Sequence, residues 1–263
     1  MEEYGEKREL SQREEGDKAS QELVIEGRNA VMEAFKANRS IDRLFLLDQE
    51  NLDGPIKKIV SEARKRGIIT KFETKERLDQ LTGGAKHQGV VAFVAAYDYV
   101  ELEDILELAR EKGEPPFLVI LDGIEDPHNL GAILRTANIA GVHGVVIPKR
   151  RAVGLTATVV KTSAGAVEYT PVARVTNVAR TIEELKKEGI WTVCADMDGT
   201  RMYDIDMKGP LAIVIGKEGE GVSRLVKESC DFVASIPMKG QIGSLNASVA
   251  AGVLLYEALR QRD

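Results

Sequence analysis

The sequence predicts an α/β protein of two domains, the larger one a parallel sheet covered by helices on both faces. Three observations predict that class. The segments FLVILD (117–122), GVVIP (144–148) and LAIVIG (211–216) are continuous apolar runs, and helical segments separate them. The third observation is length, since 263 residues suffice for two hydrophobic cores.

Taken in order, residues 1–20 hold seven acids and four bases with no apolar stretch. They predict a disordered charged tail and not a secretory leader. Residues 21–97 predict a small α/β domain: a helix from Arg28 to Ala37, a strand from Arg43 to Leu47 and a helix from Ile56 to Arg66 closed by Gly67. A short strand IITKF (68–72), a helix near Lys75 to Leu81 and the run GVVAFVAA complete it by Tyr97. Residues 98–116 read as a charged amphipathic linker helix stopped by Gly113, Pro115 and Pro116. Residues 117–263 hold the strand and helix alternation of the second domain.

Composition narrows the classes. Hydrophobic content of 43% beside 30% charged residues, with no uninterrupted apolar run near the roughly 18 residues of a span, predicts a soluble cytoplasmic protein with no membrane partner. Cys194 and Cys230 lack zinc-site spacing and a secretory context, so both are expected as buried thiols, and three scattered histidines suggest no metal. A net charge of −6 argues against a protein that coats nucleic acid over its whole surface, but not against a local patch. Basic clusters stand at Arg64 to Arg66, Lys149 to Arg151, and Lys36 with Arg39 and Arg43; each alone reads as an ordinary solvated face.

Ligands of a parallel α/β sheet gather beyond the C-terminal ends of the strands. Three such places carry chemistry. In Leu121 to Gly141, Asp126 and Pro127 break the strand, Asn129 stands where a helix N-cap belongs, and Gly141 closes the helix. Leu130, Ile133, Leu134 and Ala137 form the apolar stripe, which turns Arg135 to solvent or into a cleft. On helical geometry alone an ordinary surface arginine is the better reading of Arg135, and a simple cap suffices for Asn129. The second place, IGKEGEGVSR (215–224), lacks the Lys-Ser/Thr of a triphosphate loop and the GxGxxG of a dinucleotide loop. Glu218 and Glu220 would repel phosphate, so the loop suits a cation or a hydroxyl, unless the glutamates only cap the helix at Val222. In the third, Ser235 to Arg262, the strand end SIPM enters a glycine-bearing loop. Ser244 is placed to cap a helix rich in small residues, with Asn246 in its first turn, and both at the least organise the helix start.

In this order and spacing, NLGAILRTA, IGKEGEG and IPMKGQIGSLNASVAA resemble the three motifs of the SpoU/TrmH family of RNA ribose 2′-O-methyltransferases. The likeness runs from Phe117 to the C-terminus. EGRNAV and KHQGV resemble the L30e-like RNA-binding domain attached to many members, and the whole is most similar to members that methylate a guanosine of 23S ribosomal RNA. The resemblance implies an α/β-knot fold, a deep trefoil knot that itself holds S-adenosylmethionine. The rule that chains do not thread loops would predict otherwise, so the knot rests on the resemblance alone.

It also implies a homodimer, with the cofactor pocket near the subunit interface. By matching positions, Gly216, Ile236 and Leu245 contact the cofactor, while Arg135, Asn129, Glu218, Ser244 and Asn246 form the catalytic set. The glycines would let backbone approach the adenosine part of a methyl donor that carries a sulfonium and no phosphate. Arg135 is implied as a base or as the group that orients the hydroxyl; because guanidinium keeps its proton, stabilisation of the forming alkoxide is the better assignment. The expected partner is RNA, gripped by Lys149 to Arg151 and the first domain, with 23S ribosomal RNA ahead of transfer RNA. A non-catalytic RNA-binding assembly factor agrees poorly with a complete motif set, and a nucleotide-dependent oxidoreductase fails on the missing GxGxxG.

Overall fold

The computed structural model describes residues 23–49 and 51–263, so the expected tail over 1–20 lies outside the described residues. The chain forms two compact units, the first reaching Asp98 and including Gly154–Thr158, the second holding Tyr99–Val153 and Val159–Asp263.

The first unit runs β1 (Leu23–Glu26), α1 (Arg28–Lys36), β2 (Ile41–Leu47), α2 (Gly54–Lys65), β3 (Ile69–Glu73), α3 (Lys75–Leu81) and β4 (Val90–Val94). Its sheet has the order β1-β4-β2-β3, with β4 antiparallel to both neighbours and β2 parallel to β3. One face buries Leu44 and Leu46 against Val31 and Phe35 of α1 and Ile59 of α2; the other packs Phe45 and Phe93 against Leu78 of α3. The Asp53 side chain accepts the Ile56 N–H at 3.1 Å and Pro55 fills the first turn, which sets the start of α2. β1 has no counterpart in the sequence reading. Four residues, LVIE, carry no decisive period and become a strand only by pairing with β4.

The second unit runs α4 (Leu102–Lys112), β5 (Phe117–Asp122), α5 (Pro127–Ile139), β6 (Gly144–Pro148), α6 (Ala157–Thr162), β7 (Val172–Val175), α7 (Val178–Lys187), β8 (Trp191–Arg201), β9 (Leu211–Gly216), α8 (Arg224–Ser229), β10 (Phe232–Ser235) and α9 (Ala247–Arg262), with α6 crossing the unit boundary. Six strands in the order β10-β8-β9-β5-β6-β7 pair in parallel throughout. Leu118 to Leu121 and Ala212 to Val214 are buried, as strands covered on both faces must be. Two glycines bring elements together. A Cβ at Gly144 would stand 2.5 Å from Cδ1 of Ile105, so α4 packs onto this sheet, and a Cβ at Gly131 would stand 2.6 Å from Cβ of Thr162, so α6 closes on α5. Helix α9 lies against α5 and β9. Its last turn is fastened by Arg262, which donates to the Gly209 and Pro115 carbonyls at 2.5 and 2.8 Å and covers the Phe117 ring. Among the described residues no helix is long and apolar enough to cross a membrane. Both cysteines are free; Cys194 is buried, whereas Cys230 is half-buried at the end of α8, where its Sγ donates to the Val226 carbonyl.

Candidate active site

The strand order reverses between β5 and β9. From β5 the chain moves to β6 and β7 on one side and supplies β9, β8 and β10 on the other. Such a reversal opens a crevice at the strand ends. Asp122 and Gly216 are register partners, so the first and second motifs leave the sheet side by side. The Asp122 carboxylate then accepts the Ser223 N–H at 2.8 Å, tying the start of α8 to β5.

The turn after β9 folds straight back. Lys217 and Gly221 exchange backbone hydrogen bonds of 3.0 and 2.9 Å, and Gly219 and Gly221 take φ of 79° and 72°. A Cβ at Gly216 would lie 2.0 Å from the carbonyl carbon of Gly221 and 2.1 Å from the Val222 nitrogen. Gly216 lines the cavity as expected, but its lack of a side chain is demanded first by this return of the loop on itself. The glutamates do not cap α8, which begins only at Arg224; Glu220 pairs with Lys217 at 3.6 Å and Glu218 turns to the third motif.

Two expected caps move. Asp126, not Asn129, caps α5 by accepting the His128 N–H at 2.9 Å, because Pro127 fixes the first helical position. Asn246, not Ser244, caps α9: its Oδ1 accepts from Ser248 N at 3.0 Å, Ser248 Oγ at 2.6 Å and Val249 N at 3.3 Å. Asn129, freed from capping and 5% exposed, accepts Nδ2–H of Asn246 on its Oδ1 at 3.0 Å. The same Nδ2 donates to Glu218 Oε1. One amide thus joins residues of all three motifs that are 117 and 28 positions away in sequence.

Beside this network lies a cavity of about 160 Å³, an order of magnitude beyond the roughly 10–15 Å³ that admits one water. Gly216, Glu218, Ile236, Ser244 and Leu245 line it. A further wall comes from β8. Pairing with β9 ends at Cys194, and from there Ala195, Asp196 and Met197 diverge to face the space. Burial pushes the Asp196 carboxyl up, but the Lys227 ammonium at 2.9 Å and the Asp198 N–H outweigh it and hold the group below the usual carboxylate range. The sequence marks WTVCAD only as a strand, and its one signal of a further role is Asp196, an acid closing an apolar run.

The donor set can be tested against S-adenosylmethionine. Asp196, Glu218 and Glu220 stand against one lysine, Lys217, which is itself within 3.6 and 4.0 Å of Glu220 and Glu125. Such a wall is unsuited to polyphosphate and suited to a cation, while Ile215, Ala234, Ile236 and Leu245 offer apolar surface to a nucleoside. The residues present fit the cofactor.

Arg135 stands apart. It is exposed on α5, six residues and roughly 120° round the helix from Asn129, does not line the cavity, and its side chain makes no hydrogen bond or ion pair among the described residues. Of the basic clusters, Arg150 and Arg151 are exposed on the turn after β6, at the same end of the sheet, whereas Arg66 is engaged by Glu62 at 2.8 Å and by Asn38.

The model of the SpoU rRNA Methylase family matches residues 116–256, and that of "RNA 2′-O ribose methyltransferase substrate binding" matches residues 24–100. The "Putative TrmH family tRNA/rRNA methyltransferase YacO" of Bacillus subtilis is 51% identical over 93% of this chain and 98% of its own length. Among solved structures, the SpoU methyltransferase AviRb from Streptomyces viridochromogenes in complex with AdoMet is 25% identical, with a TM-score of 0.57 over 92% of this chain and 91% of that one. An AdoMet-bound rRNA methyltransferase from Sinorhizobium meliloti is 26% identical, with a TM-score of 0.57 over 96% and 92%. Fold and site define an S-adenosylmethionine-dependent tRNA/rRNA methyltransferase with an RNA-binding first unit. The chain belongs to the SpoU rRNA Methylase family.

Proposed function

We propose that this protein is a cytoplasmic homodimer that methylates a ribose 2′-hydroxyl of RNA, at a guanosine of 23S ribosomal RNA. The observation that carries the reading is the Asn246 amide holding Glu218 and Asn129 together at the rim of an acidic cavity. S-adenosylmethionine, when bound, supplies a methyl group activated by a sulfonium. Gly216, Ile236 and Leu245 hold that donor by backbone and apolar contact. Asn129, Glu218, Ser244 and Asn246 would orient the ribose 2′-hydroxyl toward the bound donor. Arg135 stabilises the alkoxide as it forms, since a guanidinium donates protons in hydrogen bonds without releasing them.

Placement of Arg135 away from its own cavity supports a dimer that delivers it. Ile139, 62% exposed, stands one turn beyond Arg135 on α5; Val249 and Tyr256, 49% and 50% exposed, share a face of α9; and the two helices meet at Thr136 and Gly252. That apolar surface supports pairing with a second copy. We assign the trefoil threading of the C-terminal segment to the same reading. Arg150 and Arg151 contact RNA phosphates, and the first unit holds the rest of the substrate.

Relatives named for both tRNA and rRNA keep a transfer-RNA target as the second reading. Mapping 2′-O-methylation in ribosomal and transfer RNA from cells with and without the gene tests both. Loss of one mark from a 23S guanosine supports the first reading, loss from a transfer RNA supports the second, and no lost mark refutes both.

A further inference from the structure

An asparagine amide is nearly symmetric in shape and opposite in chemistry at its two ends. Turned over, Asn246 would aim its carbonyl oxygen at Asn129 Oδ1 and at the Glu218 carboxylate, setting acceptor against acceptor. The grip on its oxygen therefore decides whether the three motifs stay joined. Two of the three donors on Oδ1 are backbone N–H groups that any N-cap receives; the third and shortest contact is the Ser248 hydroxyl at 2.6 Å. Among the described residues no other hydrogen bond is made by that hydroxyl. Removing it leaves both backbone N–H groups capped and the start of α9 satisfied, while the amide loses a close donor.

We propose that Ser248 is a positioning residue for methyl transfer. Its hydroxyl donates to Asn246 Oδ1 and so orients the amide whose Nδ2 clamps Glu218 to Asn129. The inference rests on the reading that these three residues serve the reaction, and it adds a residue that does not line the cavity.

The test uses the full chain, labelled S-adenosylmethionine and total RNA from a strain lacking the gene, in single-turnover reactions with enzyme in excess. Ser248→Ala is expected to slow methyl transfer about tenfold, as loss of one such hydrogen bond would, with cofactor Kd and Tm unchanged. Ser248→Thr, which keeps a hydroxyl, is expected to restore the rate. In an Asn246→Ala background, Ser248→Ala is expected to cause no further loss; where that background is too slow to read, the threonine rescue and the unchanged Kd decide. A wild-type rate for Ser248→Ala, failure of threonine to rescue, an equal loss in both backgrounds, or a parallel fall in Kd and Tm overturns the proposal. Asn246→Ala at the wild-type rate overturns the site reading together with it, whereas an inactive Asn246→Ala beside a fully active Ser248→Ala overturns this inference alone.

Discussion

Replacing Gly216 by alanine separates a loop that must return on itself from one that merely needs space. The added Cβ would meet Gly221 C, Val222 N and Gly221 O at 2.0, 2.1 and 2.2 Å, where ordinary contact begins at 3.4 Å, so backbone and not a flexible side chain must yield. Relief requires opening the two Lys217–Gly221 hydrogen bonds. Each is worth about 1 kcal/mol, and overpacking adds ~1–3 kcal/mol. Opening the loop limits the total felt by the sheet, and on the proposed reading, in which the donor is held against the closed loop, the cost then appears in binding. About 3 kcal/mol corresponds to a Kd weakened by roughly two orders of magnitude. Gly219→Ala is the control: it adds strain at φ 79° but meets nothing within 4 Å, so about 1 kcal/mol, or roughly fivefold, is expected. Titration calorimetry with S-adenosylmethionine reads both, and far-UV circular dichroism checks that the sheet persists. Cofactor binding by Gly216→Ala within about twofold of wild type would refute the argument.

Three further outcomes are expected. Arg135→Ala should lower methyl transfer by ~10²–10³-fold with cofactor Kd unchanged, because the side chain lies off the cavity; full turnover would remove it from the catalytic set. If Arg135 acts across the dimer, a heterodimer of Arg135→Ala and Asn246→Ala subunits should recover one working site, whereas action within a subunit predicts no recovery. Stability should fall on acidification below about pH 6.5. Burial holds the pKa of His143 below its ordinary value despite Glu114 at 3.0 Å, so in that window the unfolded chain binds more protons than the folded one. Protonation also turns Nδ1, which accepts the Phe117 N–H at 3.1 Å, into a donor. Thermal melts between pH 7.5 and 5.5 should show a smaller decline for His143→Gln than for wild type, and equal declines would contradict the assignment.

Helices and central strands were legible because their signals are local. The Gly113 C-cap, with φ 67°, ends α4 where the sequence places a stop, and the unbroken apolar runs at β5 and β9 are the strands buried on both faces. Motif residues were legible as a set, through order and spacing, but not as a geometry. Asn129 and Ser244 both look like caps, since any small polar residue before a helix does; Pro127 moved the first cap to Asp126, and the backbone N–H groups of Ser248 and Val249 find theirs on the Asn246 side chain. The β8 wall of the cavity was hidden because its role depends on where pairing with β9 stops, a property of register and not of composition. Likewise the partner of Asn129 lies 117 residues away, beyond any periodicity.

The most direct test of the whole account is the chemical position of the methyl group. RNA labelled by the purified protein from S-adenosylmethionine should yield, after alkaline hydrolysis, a single resistant dinucleotide carrying the label on a ribose, because a methylated 2′-oxygen can no longer attack the neighbouring phosphate. Label recovered on a base, or wholly in mononucleotides, would contradict it.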